Sequence, residues 1–169
     1  MTKLKIQPVE YKGKRLDEVG DKLVVVFYPL FDDYKVADEL HYPEIGPVLL
    51  DGHSDPPGKL QISGPDFPRF VSSYGKPILA VTSLPTARYQ DGSGWIYGRG
   101  NEQLKSAFTS TNRPEFSDMN SDLHVERLVI ESLHELGHVF GLGHHGQVRT
   151  TENRKYCPMT TSHGNAAWS

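Results

Sequence analysis

Cysteine is almost absent from this chain. Cys157 stands alone, so no intrachain disulfide can form. No run reaches the roughly 18 apolar residues of a membrane-spanning helix. The opening stretch MTKLKIQPVEYKGKR lacks the apolar core of a signal peptide, which together with the single cysteine favours a cytoplasmic protein. An excess of basic charge is missing as well. Eighteen Lys and Arg against 21 Asp and Glu leave a net charge of −3, so neither nucleic acid nor an anionic membrane is an expected partner. No internal repeat or low-complexity block interrupts the chain. What remains is 169 residues, suited to one domain spanning 1–169 and expected to be a monomer. Sixteen glycines and twelve prolines predict abundant turns and loops.

Two apolar runs read as buried strands: KLVVVFY, Lys22 to Tyr28, and PILAVTSL, Pro77 to Leu84. LKIQPVEY near the start reads as an edge strand, because Pro8 argues against a central position. Phe31, Tyr34, Ala37 and Leu40 recur every third residue and suggest a short helix. Leu60 to Ser63 reads as a short strand, and Phe67 to Gly75 as a helical turn ending at glycine. The cluster DGHSDPPG holds Asp51, His53 and Asp55, potential metal donors whose setting reads as a solvated turn. In DGSGWIYGRG, Trp95, Ile96 and Tyr97 lie between glycines, like an exposed edge strand that a peptide substrate can extend. An ordinary hairpin with a packed tryptophan has the same signature. Thr109 to Ser121 reads as a polar surface loop.

From Asp122 the pattern is helical and apolar on almost every side, which predicts a buried helix capped by Asn120, Ser121 or Asp122. That helix carries the chemistry, in the stretch LHELGHVFGLGH, Leu133 to His144. His134 and His138 are one turn apart on one face and can grip one ion. His144 lies six residues further, roughly 240° around a continued helix. It can join the first two only if the helix stops, and Gly141 is placed to stop it. Three neutral imidazoles leave a fourth tetrahedral position open, the pattern of a catalytic rather than a structural zinc. Glu135 sits to the side of the ligand face, within reach of a water there, and is the candidate general base. His124 is more than two turns from His134 and is not a plausible ligand of the same ion. By ligand chemistry alone cobalt, nickel or copper would also fit three imidazoles.

The succession PILAVTSL, GWIYG, ERLVIESLHELGHVFGLGH and then Cys157-Pro158-Met159 resembles the archaemetzincins, a branch of the metzincin clan of zinc metallopeptidases. The resemblance covers roughly residues 76–160. It implies an α+β, zincin-like fold: a twisted mixed sheet, a backing helix, an active-site helix and a small C-terminal subdomain. The subdomains would divide at about 1–141 and 142–169. It also implies that His134, His138 and His144 bind one catalytic Zn2+, that Glu135 is the general base, and that Met159 forms a hydrophobic floor under the metal. A peptide or protein would be the substrate. The family's second, structural zinc is expected to be absent, because His145 replaces a cysteine after the third histidine and no Cys-x-x-Cys follows. His145, Cys157 and His163 offer at most a partial site, and Tyr156 and Trp168 are expected to pack in its place. The competing class is a zinc- or peptide-binding homologue of weak catalytic power. A secreted matrixin-type enzyme would call for a signal peptide and a pro-segment cysteine.

Overall fold

The computed structural model describes residues 2–50, 60–119, 121–144 and 159. Among them the chain begins with β1 (Lys3–Val9), α1 (Leu16–Phe27), β2 (Asp33–Val36), α2 (Tyr42–Ile45) and β3 (Leu49–Leu50). Next come β4 (Gln61–Ser63), α3 (Phe67–Ser72), β5 (Ile78–Thr82), β6 (Thr86–Ala87), β7 (Gly98–Asn101), β8 (Ser106–Ser110) and α4 (Asp122–Val139). Short 3-10 turns lie at Gly46–Val48 and Pro114–Phe116. The main sheet has the order β2-β1-β5-β8-β7. Its first four strands are parallel, and β7 runs antiparallel to β8 along the edge. A small second sheet, β3-β4-β6, sits apart from it.

Alternation along the central strands builds two cores. Leu79 and Val81 of β5, with Leu4, Ile6 and Ala107, face α1 and α4. Ile78 and Ala80, with Val9 and Phe108, face α3 and the small sheet. A strand buried on both faces is what a parallel sheet requires, and it is why β5 reads as one apolar run. Behind the sheet α1 packs against α4 as the backing helix. This is the mixed sheet with helices expected for an α+β, zincin-like chain.

Several local expectations are overturned. Lys22 to Phe27 is the second half of α1, not a strand. The helix buries Leu16, Val19, Gly20 and Leu23, an i, i+3, i+4, i+7 face that starts before the valine run. The β-branched run only partly joins that face: Val25 is 79 % exposed. The segment after Phe31 forms β2 rather than a helix, and pairs with β1 from Lys3↔Asp33 to Ile6↔Val36. As a result β1 is an inner strand despite Pro8. The Pro8 carbonyl accepts from the Leu40 N–H at 3.0 Å. A strand residue points its N–H and C=O the same way, so the missing donor faces the side where the β2 ladder has already ended. The edge strand is β7, Gly98–Asn101, which begins directly after the Trp95 to Tyr97 segment. Thr109 and Ser110 belong to β8, a central strand rather than loop. The expectations for Asp51, His53 and Asp55, for His145, Tyr156, Cys157, His163 and Trp168, and for most of a C-terminal subdomain lie outside the described residues. Among the described residues no helix is long and apolar enough to cross a membrane.

Candidate metal centre

Both ends of α4 are built from local sequence. At its start the Ser121 hydroxyl accepts from the His124 N–H at 3.1 Å, a side-chain cap. At its end Gly141 takes φ +83. The Leu142 N–H then donates to the Gly137 carbonyl at 3.0 Å, and the Gly141 N–H to His138 at 3.1 Å. That pair of bonds is a Schellman motif, which needs a residue free to adopt left-handed backbone. The reversal carries the Leu142 carbonyl to 2.8 Å from His138 Nδ1. A carbonyl only accepts, so Nδ1 carries the proton and the Nε2 lone pair is left free.

The free nitrogens converge. His134, His138 and His144 bring their Nε2 atoms to 3.3, 3.0 and 3.1 Å of one another. A zinc with Zn–N bonds of about 2.0–2.1 Å in a tetrahedral arrangement needs nitrogens about 3.3–3.4 Å apart. The donor set and its spacing therefore fit the ion within a few tenths of an ångström. Nitrogens this close cannot all carry protons directed at one another, and lone pairs facing across such a gap are an arrangement that a cation stabilises. Burial and the two neighbouring imidazoles push the His144 pKa below its ordinary value, which favours the neutral ligand form. Met159 is 6 % exposed and packs against Gly137, between the two helical histidines. A Cβ on Gly137 would overlap its sulfur and lie 3.2 Å from its Cε.

Glu135 is 6 % exposed. Burial, with the nearby Glu131 carboxylate, pushes its pKa up to about 8, while the Gly100 N–H and the Arg99 charge oppose the rise. Glu131 is itself held by the Arg113 guanidinium, which stacks 4.3 Å above the Tyr97 ring. His124, excluded as a ligand by its spacing, lies at the other end of α4 with its Nε2 2.9 Å from the Tyr11 hydroxyl. A second group, Glu10, Glu39 and His41, brings its donor atoms within 4.8 Å of one another. Its carboxylates serve the backbone: Glu10 accepts from the Tyr42 N–H at 2.8 Å and Glu39 from the Tyr11 N–H at 2.6 Å.

The edge strand lies along α4 in the same direction. Tyr97 is beside Arg113 and Glu131, Gly98 beside Glu135, and Gly100 beside Glu135 and His138. A Cβ on Gly98 would lie 2.6 Å from Glu135 Cγ, and one on Gly100 would lie 2.7 Å from His138 Cβ and overlap the Glu135 carbonyl. Only glycine lets the strand approach this closely. The Ser110 N–H donates to the Tyr97 carbonyl at 2.6 Å, so by alternation Gly98 and Gly100 turn their backbone groups to the free edge. Of the three residues expected to contact substrate, Trp95 is 66 % exposed and bridges Ala87. Ile96 packs against the second core and Tyr97 against Arg113. Sequence reasoning missed Gly98, Gly100, Gly137 and Arg113. The mid-helix glycine carried a usable signal, since glycine costs about 1 kcal/mol there unless packing requires it; Arg113 carried none.

A family model described as peptidase family M54 matches residues 67–157. The archaemetzincin of Thermococcus kodakarensis is 37 % identical over 100 residues, covering 55 % of this chain and 54 % of that protein. That of Pyrococcus horikoshii is 47 % identical over 60 residues, 33 % of this chain and 32 % of its own length. The matched stretch thus spans about half or less of these curated relatives. The crystal structure of the Methanopyrus kandleri archaemetzincin superposes with a TM-score of 0.61 at 23 % identity, covering 95 % of this chain and 82 % of that one. That of Archaeoglobus fulgidus gives 0.57 at 23 % identity, covering 94 % and 85 %. Likeness at that identity speaks for the fold.

Proposed function

The chain belongs to peptidase family M54, and on that footing we propose that it is a zinc-dependent peptidase cutting peptide bonds with Glu135 as general base. The observation that carries the proposal is the convergence of three imidazole Nε2 atoms within 3.0–3.3 Å beside a buried carboxylate. His134, His138 and His144 hold one catalytic zinc, and Met159 with Gly137 forms the floor beneath it. A zinc ion held there would supply Lewis acidity for a scissile carbonyl and would bring the pKa of a water to about 7.

The remaining work falls to the chain. Glu135 takes a proton from the attacking water and delivers it to the leaving amine, the role its position one residue from His134 on α4 supports. Arg113 pairs with Glu131 and so offsets part of the repulsion that carboxylate exerts on the Glu135 charge. The free edge of β7 holds the substrate backbone by strand addition through Gly98 and the Gly100 carbonyl, the Gly100 N–H being taken by the Glu135 carboxylate, and Trp95 stands exposed before it. Within the segment Trp95 to Tyr97 the substrate contact therefore belongs to Trp95; Ile96 and Tyr97 set its base.

The test is hydrolysis of a mixed peptide library by zinc-loaded protein beside Glu135→Ala and His138→Ala. Cleavage is expected from the first alone, with Glu135→Ala still binding zinc. Zinc binding with no cleavage by the wild type would instead support a binding homologue.

A further inference from the structure

The turn joining β7 to β8 touches the end of α4 at two places. Lys105 Nζ donates to the Val139 carbonyl at 3.1 Å. Val139 is the last residue of α4, and its carbonyl is one of the four that a helix leaves without an internal partner. From the other side of the turn Glu102 abuts Gly141: a Cβ there would lie 3.2 Å from its carboxylate oxygen. The turn is itself held. The Lys105 N–H donates to the Glu102 carbonyl at 3.3 Å, and the Lys105 carbonyl accepts from the Ile78 N–H at 3.1 Å.

Lys105 has φ +49. Glycine or asparagine suits that backbone better than lysine. The turn alone does not explain the residue, whereas its side chain does. An ammonium at a helix C-terminus satisfies an orphan carbonyl and opposes the negative end of the helix dipole. From Val139 the chain enters the Schellman reversal that brings the Leu142 carbonyl to His138 Nδ1 and then His144 to the triad.

We infer that Lys105 is a positioning residue for the metal centre, pinning the last turn of α4 so that the Leu142 carbonyl orients His138 and His144 closes the triad. The inference rests on the zinc reading of the three histidines. Groups that orient metal ligands typically change metal affinity by about 10–100-fold when removed.

The test is the Zn2+ dissociation constant of the full chain, by competition with a chromophoric chelator, together with the rise in melting temperature on adding Zn2+. Lys105→Asn suits the left-handed backbone and removes the ammonium. It is expected to melt near wild type without metal, yet to bind Zn2+ about tenfold more weakly and gain less on loading. Lys105→Arg, which can still donate to Val139, is expected to restore affinity. Lys105→Gln replaces Lys105→Asn if the latter fails to fold. Wild-type affinity in the Asn or Gln variant overturns the inference, and so does an Arg variant as weak as the Asn one. Equal Zn2+ binding by wild type and His138→Ala is a different failure, of the metal reading itself.

Discussion

Replacing Gly100 with Ala adds one carbon to the interface between the edge strand and α4. The new Cβ would overlap the Glu135 backbone carbonyl and lie 2.7 Å from His138 Cβ. Carbon atoms in ordinary contact are about 3.5–4.0 Å apart. Both obstacles are fixed to the helix, so β7 must retreat by about 1 Å, the difference between those spacings. Gly100 has no left-handed backbone to lose, so space alone decides the cost. Overpacking of this kind costs about 1–3 kcal/mol. For a chain of this length that lowers the melting temperature by roughly 2–12 °C. The same retreat moves the edge proposed to hold substrate relative to His138 and Glu135, and a misplacement of about 1 Å costs about 100-fold in rate. Gly98→Ala makes the comparison informative. The three atoms nearest its Cβ all belong to the Glu135 side chain rather than to backbone, so the side chain and not the strand must give way. We expect near wild-type melting and Zn2+ affinity from Gly98→Ala, with kcat lowered about 100-fold because the base is displaced. Calorimetry and peptide hydrolysis on the two variants decide the matter. Wild-type melting and turnover in Gly100→Ala would refute the reasoning, as would wild-type turnover in Gly98→Ala.

Other predictions follow from the same geometry. Gly141→Ala should destabilise by about 1–2 kcal/mol, since φ +83 suits few side chains, and should weaken Zn2+ binding by disturbing the reversal before His144; calorimetry and chelator competition read both. Tyr11→Phe leaves buried His124 without its 2.9 Å partner and should cost about 1–3 kcal/mol in urea denaturation. Burial lowers the His124 pKa, so below about pH 6.5 the unfolded chain binds a proton that the folded one resists. Its contribution to stability is therefore complete above that pH and declines as pH falls towards the folded value; the decline should be shallower in His124→Gln, and a steeper one would contradict the assignment.

The parts of the molecule that sequence exposes are those whose cause is local. The spacing of His134, His138 and His144, the stop at Gly141 and the cap at Ser121 are each set within a few residues, and the structure has the helix and its reversal there. β5 is legible because burial on both faces leaves an uninterrupted apolar run. β8 is not, since SAFTS is rich in hydroxyls, and its fitness for a core strand depends on distant acceptors. Ser106 donates to the Pro68 carbonyl and Ser110 to the Leu84 carbonyl, each at 2.8 Å. The valine run was misleading because β-branched residues favour strands, while the face that α1 buries begins at Leu16. The closeness of Gly98 and Gly100 to α4, the Arg113 ion pair and the Lys105 bond to Val139 all join segments remote in sequence, so no local pattern announces them.

The central claim is that His134, His138 and His144 hold a catalytic zinc beside Glu135. Its most direct test is peptide-library hydrolysis by zinc-loaded wild type and zinc-loaded Glu135→Ala, with bound metal counted in both. The account predicts about one zinc per chain in each protein and cleavage by the wild type alone. Equal cleavage by both, or a wild type that binds zinc and cleaves nothing, would contradict it.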